Sequence, residues 1–225
     1  MNVEEYLSKI DYPGRMILAG AGKYGEPVLA YALTGRSANS RNRVLVLEDG
    51  MLKTRAYDES LLEDPSLIIY NAMRKKGDEI ILTNGDQTDT IYDEDSLEKA
   101  LAVRSYEPDA PAFTPRISLV YDEDGDEYRL SIIRKADDSD ECVRKIFTYK
   151  KENGIGHMIH TYMGNGDPLP SFSTLPVRLS LPENAEELSL AIHSSMQPSY
   201  RISRYVRFGV EEKIINDAED KDGQN

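Results

Sequence analysis

The run Glu79-Ile80-Ile81-Leu82-Thr83 is apolar, and it stops at Asn84-Gly85. Both of those residues tolerate positive φ, so the run reads as a strand ending in a tight turn. A plain hairpin would then resume an apolar pattern, but Asp86-Gln87-Thr88-Asp89-Thr90 stays polar until Ile91. Two readings follow. In one, Asn84 to Thr90 is a hairpin loop, and Asp93 or Asp95 caps a helix over Ser96 to Ala102. In the other, a polar segment held between a strand and a helix aims its side chains and backbone N–H groups at a small polar ligand. Both demand a strand, a turn and a helix in close succession, and the rest of the chain must pack around that unit.

Upstream, Met16 to Ala19 and Val28 to Leu33 read as a hairpin around Gly20, Gly22 and Gly25. Those glycines stand at G-x-G-x-x-G spacing, but no helical pattern or later ribose-binding acid follows, so a dinucleotide fold is rejected. Val3 to Ile10 reads as a short amphipathic helix, and Arg43 to Leu47 with Gly50 to Ala56 as a further strand pair. Downstream, Arg116 to Tyr121 and Tyr128 to Arg134 alternate well enough for a hairpin, with strands at Arg144 to Tyr149, Gly156 to Tyr162 and Ile202 to Gly209. Glu183 to Met196 carries a helical stripe with Asn184 as its cap. Strands predominate, helices are few and no repeat is present, so the class is α+β.

Thr34 to Arg43 reads Thr-Gly-Arg-Ser-Ala-Asn-Ser-Arg-Asn-Arg, which sets Arg36, Arg41 and Arg43 among small hydrogen-bonding residues. Guanidinium forks grip phosphate oxygens in pairs and the Ser37 hydroxyl can complete a cradle, so a phosphate group fits this loop. A solvated loop paired with local acid is the plainer alternative. Tyr70 and Asn71 sit centrally in the apolar stretch Ser66 to Met73, where a core tyrosine with a satisfied hydroxyl is the ordinary expectation. Tyr106 to Pro115 holds three prolines, at Pro108, Pro111 and Pro115. They stiffen the loop, so Glu107 can be held in place at little entropic cost.

The chain has 40 acidic and 27 basic residues, a net charge of -13, so a nucleic-acid backbone or an anionic membrane would meet repulsion. Much of the acid lies in blocks at Asp122 to Glu127, Asp137 to Glu141 and Asp217 to Asp222, which read as solvated turns and tail. The first block lacks EF-hand ligand spacing and reads as a turn at Gly125. Cys142 is the single cysteine, and no apolar leader or bilayer-length run is present, so a cytoplasmic protein is expected. His157 and His160, three apart on an alternating strand, point to opposite faces, and no metal-ligating set is expected. Residues 1–215 are read as one domain and 216–225 as an acidic disordered tail.

Four segments, taken together and in order, resemble the archaeal-type IMP cyclohydrolase family. They are Gly35-Arg36-Ser37 with Arg41 to Arg43, Ile69-Tyr70-Asn71 with Arg74, Asn84-Gly85 with Thr88-Asp89-Thr90-Ile91, and Tyr106-Glu107 through Thr114-Pro115-Arg116-Ile117. The resemblance is carried by the first half of the chain. It implies a four-layer αββα sandwich like that of N-terminal nucleophile hydrolases, without the nucleophile, and closure of 5-formamidoimidazole-4-carboxamide ribotide to inosine monophosphate without cofactor or metal. It further implies Arg36 and Ser37, with Arg41 or Arg43, at phosphate. Tyr70 and Asn71 would serve proton transfer or formyl polarisation, and Asn84, Gly85, Thr88 and Asp89 the base or ribose. Glu107 would meet the carboxamide, and Arg116 would orient Glu107 or meet the ligand. A non-catalytic ribotide-binding protein and an amidohydrolase with another substrate stay open, as does self-association.

Overall fold

The computed structural model describes residues 1–62, 65 and 68–217. In chain order, α1 (Val3–Leu7) precedes β1 (Arg15–Ala21) and β2 (Pro27–Thr34), and the single turn α2 (Ala38–Arg41) leads into β3 (Val44–Glu48) and β4 (Met51–Arg55). Then come β5 (Asn71–Lys76), β6 (Glu79–Thr83), α3 (Gln87–Asp93), α4 (Leu97–Ala102), β7 (Arg116–Asp122), β8 (Glu127–Lys135) and β9 (Cys142–Lys150). The last elements are β10 (Ile155–His160), β11 (Val177–Ser180), α5 (Ala185–Ser195), β12 (Arg201–Phe208) and β13 (Glu211–Asn216). This is an α+β protein with two antiparallel sheets. One has six strands in the order β11-β10-β1-β2-β12-β13, the other seven in the order β3-β4-β5-β6-β7-β8-β9.

Three apolar clusters account for the packing. Strand alternation sends Ile17, Leu29, Tyr31 and Leu33 to one face of the six-stranded sheet, where they meet Leu52, Leu82, Leu119 and Leu130 of the seven-stranded sheet. The opposite face of the six-stranded sheet, with Met16, Leu18, Val28 and Ala30, is covered by Val3 and Leu7 of α1 and by Leu188 and Ile192 of α5. On the outer face of the seven-stranded sheet, Ile81, Val120 and Ile133 pack against Ile91 of α3 and Leu97 and Leu101 of α4. Strands β1 and β2 are therefore buried on both faces, which explains their unbroken apolar runs.

Polar links also cross between the sheets. The Tyr121 hydroxyl donates to the Gly20 carbonyl at 3.0 Å, and Tyr128 meets Nδ1 of His157 at 2.6 Å. At one margin the Asn216 side-chain amide accepts from the Leu45 N–H at 2.9 Å and donates to the Leu45 carbonyl at 3.1 Å. His160 lies on the other face of β10, where Nε2 meets the Tyr6 hydroxyl of α1 at 2.6 Å. The two histidines thus occupy opposite faces, as alternation requires.

Several expectations need correcting. The polar stretch after Gly85 is not a loop: from Gln87 onward it winds into α3, with Gln87 and Thr88 buried. Neither Asp93 nor Asp95 caps the next helix; Ser96 does, its hydroxyl accepting from the Lys99 N–H. The first helix stops at Leu7 instead of Ile10. Strand β5 begins only at Asn71, while Ser66 and Leu67 of the expected apolar segment lie outside the described residues. Strand β13 had no clear signal, because Glu211-Glu212-Lys213 opens it with charge. Of the residues assigned to a tail, Asn216 ends β13, Asp217 is buried against Arg204, and 218–225 lie outside the described residues.

Candidate functional site

Antiparallel neighbours start and stop alternately at the same end of a sheet, so chain-distant residues converge there. At one end of the sandwich lie the starts of β1, β3, β5 and β7 and the finishes of β2, β6 and β10. A cleft of about 340 Å³ opens at that end, walled by Tyr12, Arg15, Arg36, Ser37, Arg43 and Thr114, among others. Beside it lies a small recess of about 20 Å³ bounded by Arg15, Asn84, Glu107, Asp109 and Thr114. Arg15, Asp109 and Thr114 belong to both, so the two spaces adjoin.

The arginine loop is shaped by local hydrogen bonds. Ser37 caps α2, its hydroxyl accepting from the Ser40 N–H at 3.1 Å. Arg43 follows that helix and is wholly buried; its Nε donates to the Ser40 carbonyl at 2.8 Å. Both terminal guanidinium nitrogens of Arg43, and Nε of Arg15, are buried without a hydrogen-bond partner among the described residues. Burial and the neighbouring Arg15 pull the Arg43 guanidinium down to about 10, which still leaves it charged at neutral pH. Two such cations in an acidic protein, with donors unspent, make a site that favours an anion. Arg36 is engaged otherwise: its Nη1 donates to Asn165 Oδ1 at 2.8 Å and to the Gly166 carbonyl at 3.2 Å. Arg41 is exposed and reaches the Ser199 carbonyl, away from the cleft.

Gly14 permits the close seating of Arg15. Its φ is +73°, and a Cβ there would stand 2.1 Å from Thr161 Oγ1. The Gly14 carbonyl accepts from both the N–H and the hydroxyl of Thr34, at 2.9 and 2.6 Å.

At the inner end, Arg116 gathers acceptors. Its Nη1 lies 2.9 Å from Glu107 Oε1, 2.6 Å from Asp86 Oδ1 and 2.8 Å from Gln87 Oε1, while Nε donates to the Ser105 carbonyl. Burial would raise Asp86, but Arg116 and Arg104 outweigh it and hold the carboxyl below its usual range. For Glu107 the balance is reversed: burial dominates the Arg116 attraction and raises the carboxyl. Oε2 of Glu107 is buried without a partner among the described residues. Gly85 makes room for this cluster, since a Cβ there would sit 2.6 Å from Gln87 Oε1 and 2.9 Å from Glu107 Oε1. The proline-rich loop is pinned by Asp109, which accepts from the Thr114 N–H at 2.7 Å and from the Thr114 hydroxyl; the Tyr162 hydroxyl lies 2.5 Å from that same Thr114 oxygen.

Of the residues singled out in the sequence, the structure brings Arg36, Ser37, Arg43, Asn84 and Glu107 to the cleft walls. Arg116 and Gly85 stand directly behind Glu107. The Asn84 side chain is largely spent on structure, donating to the Pro115 carbonyl and accepting from Ile117 N–H and Gln87. Thr88 is buried against Thr83, their hydroxyls 2.6 Å apart. Asn71 and Asp89 bond to each other, and Asp89 pairs with Arg74 at 2.7 Å, outside the cleft walls. Tyr70 does not line the cleft itself; it is nearly buried, and its hydroxyl is 2.7 Å from that of Tyr31.

Sequence reasoning missed Arg15, Tyr12, Asp109, Thr114 and Tyr162. A usable signal for Arg15 exists: a single charge at the head of a strand otherwise buried on both sides. Among the described residues, no three His, Cys, Asp or Glu side chains gather as a metal site, and no helix is long and apolar enough to cross a membrane.

Comparison with known proteins bears on this geometry. A family model described as IMP cyclohydrolase-like protein matches residues 12–213, a span that takes in every cleft-lining residue named above. The IMP cyclohydrolase of Methanopyrus kandleri is 28% identical over 159 residues, covering 67% of this chain and 75% of that protein. That of a Methanococcus maripaludis strain is 34% identical over 123 residues, covering 50% of this chain and 59% of the relative. The Haloquadratum walsbyi protein of the same name is 30% identical over 132 residues, 55% of this chain and 62% of the relative. From a model match over nearly the whole of both sheets, this chain belongs to the family of IMP cyclohydrolase-like proteins.

Proposed function

We propose that this protein is an IMP cyclohydrolase, closing the ring of 5-formamidoimidazole-4-carboxamide ribotide to give inosine monophosphate and water. The observation that carries the reading is a cleft with unspent guanidinium donors on Arg15 and Arg43 along its wall, beside a recess where Glu107 holds an unpartnered carboxylate oxygen. At about 340 Å³ the outer space lies within the roughly 300–1,000 Å³ range of small-ligand clefts. On this reading the phosphate sits by Arg43, Ser37 and Arg36, the ribose passes Asp109, and the base points inward to Glu107 and Asn84.

The carboxamide nitrogen attacks the formyl carbon, forming the C–N bond, and Glu107 accepts a carboxamide proton. Glu107 passes that proton to the formyl oxygen. The C–O bond then breaks: Glu107 takes the former formamide N–H proton and delivers it to the departing hydroxyl, which leaves as water. An amide nitrogen is a poor nucleophile, so fixing the two groups within reach supplies much of the acceleration. A raised Glu107 carboxyl suits a group that both takes and returns a proton.

The same reading covers the fold and setting. On it the layers of helices, two sheets and helices are read as an αββα sandwich like that of N-terminal nucleophile hydrolases, in a single domain of a cytoplasmic purine-biosynthetic enzyme. The test is to incubate purified protein with the formylated ribotide and follow inosine monophosphate. Product formation supports the enzyme; tight binding of inosine monophosphate with no turnover would leave a ribotide-binding protein instead.

A further inference from the structure

Arg15 opens β1, and its main chain is pinned to the residue after β10. Its N–H donates to Thr161 Oγ1 at 3.1 Å, and its carbonyl accepts from the Thr161 N–H at 2.9 Å. The side chain is held differently. Nε is buried without a partner, and neither terminal nitrogen donates to a described residue. Taking a guanidinium partly out of water with every donor unused is costly, so the group is set for an acceptor that the protein does not itself supply.

Arg15 lines both the cleft and the recess, whereas Arg36 and Arg43 line the cleft alone. Among the residues that bound the recess it is the one cation. The other donors there are largely committed, Asn84 to the Pro115 carbonyl and the Thr114 hydroxyl to Asp109. At about 20 Å³ the recess has room for about one water-sized group. It therefore suits a single small acceptor atom, bounded by Arg15 and by Glu107.

We propose that Arg15 is a catalytic residue that donates to the formyl oxygen in the recess, while Arg43 keeps the phosphate in the cleft. This rests on the function proposed above. Attack by the carboxamide nitrogen turns the C=O bonding pair into a lone pair, so negative charge gathers on that oxygen before Glu107 protonates it. A fixed guanidinium is worth more to that charged oxygen than to the neutral formyl group, which is the condition for lowering the barrier. Once the C–O bond breaks, the same recess holds the oxygen as water.

Inosine monophosphate no longer carries the formyl oxygen, and this separates the two arginines. Arg15→Met should lower kcat roughly 10²- to 10³-fold, the worth of one oxyanion donor, while calorimetric affinity for inosine monophosphate stays within about threefold. Arg15→Lys keeps the charge, loses the fork and should retain only part of the rate. Without the Arg15 cation, Glu107 keeps Arg116, Asp86 and Asp109 as charged neighbours, so the acidic limb of kcat should move to higher pH in Arg15→Met and stay in place in Arg15→Lys. A kcat near that of the wild type in folded Arg15→Met would overturn the proposal. So would a loss of inosine monophosphate affinity as large as that of Arg43→Met with inosine affinity kept, which would assign Arg15 to the phosphate. Should circular dichroism show Arg15→Met unfolded, Arg15→Lys carries the test, and wild-type kcat there overturns the proposal. A wild type that forms no inosine monophosphate overturns the function itself, an outcome read from the wild type alone, and this role falls with it.

Discussion

Glu107 and Arg116 meet through a single contact, Oε1 to Nη1 at 2.9 Å, which leaves the other carboxylate oxygen of Glu107 buried and unpartnered among the described residues. One oxygen is held and the other is left for a ligand. Glu107→Gln keeps the shape and the held contact but removes the base. It should lower kcat and kcat/KM together, by roughly 10²- to 10⁴-fold, with the fold retained in circular dichroism. A near-normal kcat would remove Glu107 from the chemistry.

Arg43 and Arg36 should differ as phosphate ligands, because Arg36 already spends Nη1 on Asn165 and Gly166 while Arg43 has both terminal nitrogens unspent. Arg43→Met should weaken inosine monophosphate binding by roughly ten- to a hundredfold, with little effect on inosine, given the worth of charge-assisted hydrogen bonds. Arg36→Ala should weaken it less. Calorimetric titration with both ligands checks this, and equal losses for nucleotide and nucleoside at Arg43 would assign that side chain to structure.

Asn84 joins the end of β6 to the start of β7 through Pro115, Ile117 and Gln87. Asn84→Ala leaves the buried Ile117 N–H and Pro115 carbonyl without those partners. Urea unfolding should show a loss of roughly 3 kcal/mol, the scale for stranded buried polar groups. A loss below about 1 kcal/mol would mean that water takes over these bonds.

His160 is wholly buried between Tyr6 and the Tyr162 carbonyl, and burial pushes its imidazole down to about 4. The unfolded chain takes up that proton near pH 6.5, and the folded chain only near pH 4. Its contribution is therefore complete above about pH 6.5 and is lost as the pH falls toward 4, on the order of 3 kcal/mol across the window. Urea midpoints from pH 7 to pH 4.5 should fall more steeply for the wild type than for His160→Gln. Parallel slopes would refute the assignment.

The proposed chemistry moves protons between Glu107 and the substrate and assigns no step to a metal. Dialysis against a chelator should leave the rate unchanged. A collapse restored by zinc or magnesium would require a different mechanism.

What the chain disclosed beforehand follows the physics of each segment. The buried hairpin of β1 and β2 announces itself because both faces are apolar, and α5 because Asn184 caps a clear stripe. Helix α3 is hidden because two of its three buried residues are Gln87 and Thr88, which satisfy themselves through Arg116, Ile117 and Thr83, so that Ile91 alone shows no apolar period. Strand β13 was hidden by its charged start. In the cleft, Arg36, Arg43 and Glu107 were recognisable from loop composition and family likeness. Arg41 and Arg43 differ by two positions, and only the turn of α2 decides which one turns inward.

The amide of Asn216 also bears on how copies of this chain meet. By occupying both backbone groups of Leu45, it fastens the outermost strand of one sheet to the outermost strand of the other, so β13 and β3 offer little ladder to a stranger. Strand β11, at the far margin of the six-stranded sheet, is only four residues long and already bridges to Asn2. That leaves β9, nine residues long, as the one extended open edge among the described residues, and it carries Arg144, Lys145 and Lys150 with no acidic side chain. Two molecules adding strand to strand there would oppose like charges, so in a protein otherwise crowded with acid the basic residues sit where they discourage runaway stacking.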